Sequence, residues 1–121
     1  MKLIESKVEL IEQQPGLEGM YKQIELAGRT CYKSEDKITE DSAKEFVDRM
    51  IKLGHGAMLE HGTVYLHIPF GDVLVKDFYK NNKYSKYKQT SLDPESGVVD
   101  VLVTTNLRVL VENNRLDDLQ Y

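Results

Sequence analysis

Gly54-His55-Gly56-Ala57-Met58-Leu59-Glu60-His61-Gly62 holds two histidines, a carboxylate and three glycines in nine positions, and two different hydrophobic periods meet across it. Before it, Ala43, Phe46, Val47, Met50 and Ile51 recur three and four apart, the spacing of one buried helix face, while Lys44, Asp48 and Arg49 fall on the wet side. After it, Val64, Leu66 and Ile68 alternate with Tyr65 and His67, the period-two pattern of a half-buried strand that Pro69 ends. The helix is expected to start at Thr39 or Ser42. Ser42 and Glu45 have capping-box spacing, and Glu40 and Asp41 place negative charge at the positive end of the helix dipole. Gly54 is the natural left-handed residue beyond its last turn.

Working outward, Leu3–Gln13 alternates loosely and predicts a strand, broken by Gln13-Gln14-Pro15-Gly16. Leu17, Met20, Tyr21, Ile24, Ala27 and Cys31 fall in helical register and predict a helix from Leu17 to Tyr32, with Gly28 marking a bend or a close backbone approach. Asp72 can cap a third long helix through Asn81 that buries Val73, Leu74 and Phe78, with Val75 a further candidate. Tyr84–Gly97 is polar and ends in Asp93-Pro94-Glu95-Ser96-Gly97, which reads as a mobile loop. Val98–Val103 is β-branched and apolar on both faces, as in a central strand. Asn106 offers an N-cap to Leu107–Glu112, and Leu116–Tyr121 opens another helical pattern that suggests something ordinarily follows. These elements predict an α+β fold: a small mixed β-sheet of about three strands with helices packed on it, in a single domain spanning 1–121.

Composition narrows the classes. The chain has 121 residues, 40% apolar and 30% charged, in the range of folded soluble domains. Its apolar runs are too short for a transmembrane helix. Glu5 falls where a secretion signal would stay apolar. The lone Cys31 cannot form an internal disulfide, and a cytoplasmic home is the simplest expectation. A formal net charge of −4 argues against a general nucleic-acid binder. The basic run Lys76, Lys80, Lys83, Lys86 and Lys88, interleaved with Phe78, Tyr79, Tyr84 and Tyr87, is the one local exception, against which stands a plain solvated helix face.

Several chemistries are open to the opening stretch. His55 and His61 are six apart, whereas helical zinc pairs need four, so a metal would require a loop site from His55, Glu60 and His61. Cys31 lies in register with an apolar face, where a cysteine is usually inert. No phosphate-loop order is present. An organic cofactor suits histidines that titrate near neutrality, a carboxylate that can orient them and glycines that admit a planar ring. Equally, Glu60 and His61 could simply satisfy backbone groups in a turn.

Ala27-Gly28-Arg29-Thr30-Cys31-Tyr32, then Phe46–Leu53, Gly54-His55 and Leu59-Glu60-His61 running into Thr63–Ile68, resembles the N-terminal part of the flavin-dependent thymidylate synthases over roughly residues 1–70. Val103–Asn114 looks like a segment of insertion-bearing members. The resemblance implies FAD as cofactor, dUMP as substrate, methylation to dTMP with methylenetetrahydrofolate and NADPH, and a homodimer or homotetramer with shared sites. It implies that His55 sits against the flavin, that Ala57 stands where members place a hydroxyl contacting FAD, and that Glu60 and His61 match the family's Glu-His pair. The family's later Arg-His-Arg signature is not among the 121 residues. The expectation is therefore a front portion of such an enzyme, incomplete or inactive alone. The alternative is a non-catalytic scaffold or interaction domain that retains the fold.

Overall fold

The computed structural model describes residues 6 and 8–121. Helix α1 runs Gly16–Cys31, α2 Ser42–Leu53, the short α3 Gly56–Leu59, α4 Val73–Asn81 and α5 Leu107–Glu112. The strands are β1 Thr63–Ile68, β2 Lys86–Leu92 and β3 Val99–Asn106. Single 3-10 turns occupy Glu35–Lys37 and Leu116–Gln120. The fold is α+β, as expected, but its three-stranded sheet, in the order β1-β3-β2, is antiparallel in both ladders and not mixed, because β1 and β2 both run opposite to the central β3.

β3 is central, as its apolar run predicts. Its burial nonetheless alternates: Val101, Val103 and Thr105 are buried while Leu102 is exposed. The sheet is therefore covered on one face only. Val64, Leu66 and Ile68 of β1 join Val101 and Val103 on that face, and α1, α2, α4 and α5 contribute Met20, Ile24, Phe46, Val47, Tyr79 and Leu110 to the same cluster. Apolar side chains from elements distant in sequence thus bury one another, the main favourable term in folding.

Helix α2 buries Ala43, Phe46, Val47 and Met50 of the predicted stripe, with Ile51 half-buried, and Gly54 takes the left-handed conformation at φ 72°. Its start differs from expectation. The Ser42 hydroxyl turns back to Thr39, accepting from its N–H at 2.9 Å and donating to its carbonyl at 3.1 Å, so the capping box with Glu45 does not form. Asn106 does cap α5 as predicted, its side chain accepting from Val109 N–H at 3.1 Å.

Four further expectations are corrected. The Leu3–Gln13 strand falls partly outside the described residues, and its described part, Val8–Gln13, belongs to no ladder. Tyr84–Gly97 is no loop: Lys86–Leu92 forms an edge strand, and Asp93 organises the turn by accepting from Glu95 N–H and Ser96 Oγ. Its sequence hides the strand because only Tyr87 and Leu92 are large apolar residues there; the backbone ladder to β3, not a buried face, makes it. In α4, Lys76 and Tyr79 are buried while Val73 and Leu74 are exposed. The Lys76 ammonium donates to the Val99 carbonyl and the Tyr79 hydroxyl to Asp118 at 2.8 Å, so polar partners let these long side chains take the inner face. Cys31 is exposed although its register is right, because it is the last residue of α1 and lies past the packed length of the helix. The buried stripe of α1 instead takes in Glu25, Gly28 and Arg29.

Candidate functional site

The turn from Gly54 to Gly62 is built on Leu59, buried at its centre, which leaves its neighbours to face solvent. His55 caps α3, receiving Met58 N–H on its carbonyl at 3.2 Å while its own N–H donates to Met50 O at 3.0 Å. His61 N–H donates to Met58 O and Gly62 N–H to Leu59 O, closing the turn before β1. At its far end the Gly62 carbonyl accepts Leu107 N–H at 3.0 Å, which joins the turn to the start of α5. Gly62 packs against α1: a Cβ there would lie 2.5 Å from Ile24 Cδ1 and 2.8 Å from Met20 Cγ. The backbone approach is tight because a helix lies there.

All four sequence-predicted site residues, His55, Ala57, Glu60 and His61, are exposed and share this turn. The Tyr32 hydroxyl comes within 3.4 Å of His55 Nδ1, leaving Nε2 open to solvent. Glu60 Oε1 accepts from Arg108 Nη1 at 2.8 Å, and Arg108 Nε also donates to Glu112 Oε1 at 2.8 Å. Glu112 first and Glu60 second raise the pKa of the Arg108 guanidinium, so its charge is permanent. Arg108 is the residue that sequence reasoning missed. It lies 48 positions from Glu60, and no local pattern marks it. Its guanidinium also lies under Gly56, where a Cβ would come 2.9 Å from Nε and 3.0 Å from Glu112 Oε1. The close approach at Gly56 is thus taken by the chain's own α5.

The grouping supports some chemistries and not others. Among the described residues no three His, Cys, Asp or Glu side chains gather to hold a metal ion, so His55, Glu60 and His61 do not assemble a loop metal site. The basic run is divided, with Lys76 buried on Val99 O and Lys80, Lys83, Lys86 and Lys88 elsewhere on α4, its following turn and β2. The polar groups of the turn lie on its exposed side. His55 Nε2, the second oxygen of Glu60 and the His61 ring face outward on it with no partner among the described residues, and Ala57 adds a small apolar step without a hydroxyl. Two grooves, of about 810 and 400 Å³, are lined by other residues. The turn is open and not an enclosed pocket.

An α+β domain in which a Gly-His…Glu-His turn passes from an amphipathic helix into a sheet strand defines the class. The sequence profile of the thymidylate synthase complementing protein family matches residues 9–93. The chain belongs to that family. The match extends beyond the segment from which the resemblance was read and takes in α4 and β2. The flavin-dependent thymidylate synthase of Corynebacterium aurimucosum is 40% identical over 47 residues, covering 37% of this chain and 19% of that protein. The chain therefore spans well under two thirds of that relative's length. No solved structure matches it. Among the described residues no helix is long and apolar enough to cross a membrane.

Proposed function

We propose that the chain contributes one wall of a flavin site, as the front part of a flavin-dependent thymidylate synthase-like protein. The observation that carries this reading is the gathering of His55, Ala57, Glu60 and His61 on one exposed turn of a chain in the thymidylate synthase complementing family. FAD, when bound, supplies the redox step of methylating dUMP to dTMP. His55 would meet the ring system, with Tyr32 orienting its imidazole. Glu60, held by Arg108, would present its second oxygen to a donor on the ligand edge. His61 would close the wall at the start of β1, and Ala57 would contribute contact without a hydrogen bond. The remaining contacts to flavin and dUMP, together with methylenetetrahydrofolate and NADPH, call for groups outside this turn, contributed by a homodimer or homotetramer in a cytoplasmic setting.

Flavin titration tests this directly. Quenching of FAD fluorescence on adding protein is expected, weakened about tenfold by His55→Ala and by Glu60→Gln, each of which removes a contact worth about 1.4 kcal/mol. No quenching at high protein concentration would remove the cofactor assignment. The second reading, a non-catalytic scaffold that retains the fold, draws on the openness of the turn. It predicts an intact circular dichroism spectrum together with that absence of quenching.

A further inference from the structure

We propose that the open face of the sheet binds single-stranded nucleic acid, with bases stacked over β1 and phosphates held by β2. The inference is independent of the flavin reading and rests on how strand register sorts the basic run. Side chains alternate between the two faces of a sheet. The ladders therefore carry Tyr65, Thr104 and Lys86 into one row on the open face, and His67, Leu102 and Lys88 into the next. Tyr65 is 70% exposed and Leu102 47%, and His67 and both lysines are exposed as well. Among the described residues neither lysine has an acidic partner. Asp100 is the one carboxylate in the three strands, and it is already engaged. Its Oδ1 lies 2.7 Å from His67 Nε2, and Ser91 Oγ donates to its Oδ2 at 3.5 Å.

The two rows repeat one arrangement: a ring on β1, a short or apolar floor on β3 and a cation on β2. They lie two residues apart along the strands, about 6.8 Å, which matches the step of an extended polynucleotide. Across the sheet, β1 and β2 are separated by two strand spacings, about 9.6 Å. A base stacked on the Tyr65 ring thus leaves its phosphate above β3, within reach of the long arm of Lys86. The next base and phosphate meet His67 and Lys88 in the same way. Stacking on rings tolerates any base but needs an unpaired one, so a single strand fits and a duplex does not. Charge and shape together choose this occupant. An acidic peptide would leave the rings unused, and a second copy would bring two more lysines to a face with one engaged carboxylate. The chain's net charge of −4 confines the attraction to this face, so the site is short and sensitive to salt.

The test is fluorescence anisotropy of a fluorescein-labelled short oligothymidylate titrated with the full chain, at protein concentrations below those at which copies associate. Saturable binding is expected, with the logarithm of affinity falling against the logarithm of salt at a slope of about −1.4 for two phosphate contacts. Tyr65→Ala is expected to weaken binding about tenfold. Lys88→Gln is expected to reduce the slope to about −0.7. Lys80→Gln, on α4 and away from the open face, is expected to change neither affinity nor slope. A second measurement needs no variant: ultraviolet cross-linking of the unaltered chain to the oligonucleotide, with peptide mapping, is expected to mark Tyr65 or His67. The proposal is overturned by absence of saturable binding, by equal binding of a duplex of the same length, or by a loss in Lys80→Gln as large as in Lys88→Gln. It is also overturned if Tyr65→Ala disrupts association of the copies while oligonucleotide affinity stays the same, which would give the face to a second copy.

Discussion

Glu25 and Arg29 share an ion pair at 2.8 Å with both side chains almost fully buried, and the Arg29 guanidinium lies 4.8 Å from the centre of the Phe46 ring. Arg29→Met is expected to cost about 3 kcal/mol, because it strands the Glu25 carboxylate in the interior, while Glu25→Leu with Arg29→Met recovers most of that loss. Urea midpoints at constant slope measure both, and equal destabilisation by the single and double variants would contradict the argument. Gly62→Ala is expected to cost about 1–3 kcal/mol, since the added methyl would displace Ile24 and Met20 in a packed core. Tyr79 provides a pH handle. Burial first and the Asp118 hydrogen bond second raise its pKa well above the ordinary 10.0. The unfolded chain then ionises first, so this contribution is complete below pH 10 and falls as the solution becomes more alkaline. Tyr79→Phe should flatten the stability profile above pH 10 and lower stability at neutrality by leaving Asp118 short of a donor; an unchanged alkaline slope would refute the assignment.

At the scale of elements, legibility followed the source of stability. Helix α2 and strand β1 were readable because their own side chains repeat with the period of the surface they bury. Asn106 was readable because capping is chemistry within four residues, and Asn106→Ala is expected to lower stability by about 1 kcal/mol in thermal or urea unfolding. Strand β2 was not readable, because its ladder partners lie on β3 and its side chains are mostly polar. The inner face of α4 was misread for a related reason. Lys76 and Tyr79 are tolerated inside only because the Val99 carbonyl and Asp118, both remote in sequence, meet their polar ends. A hydrophobicity pattern carries no record of such partners.

Across the whole molecule, the sheet has one covered face and the other open, where Tyr65 and Leu102 remain exposed; Leu74 of α4 is exposed as well. An open sheet face with exposed apolar side chains favours association, and we expect light scattering after size exclusion to find dimers or tetramers; a monomer at all concentrations would count against it. The sequence by itself determined the α+β class, the Gly54–Gly62 turn and the family, since each rests on short-range order: periodicity, capping, and the spacing of a glycine–histidine motif. Only the tertiary structure decided that Arg108 holds Glu60, that α5 fills the space beneath Gly56, and that the turn lies open to solvent. Those facts depend on residues nearly fifty positions apart meeting at the shared end of β1 and β3, where the packing of distant elements fixes distance and local preference does not.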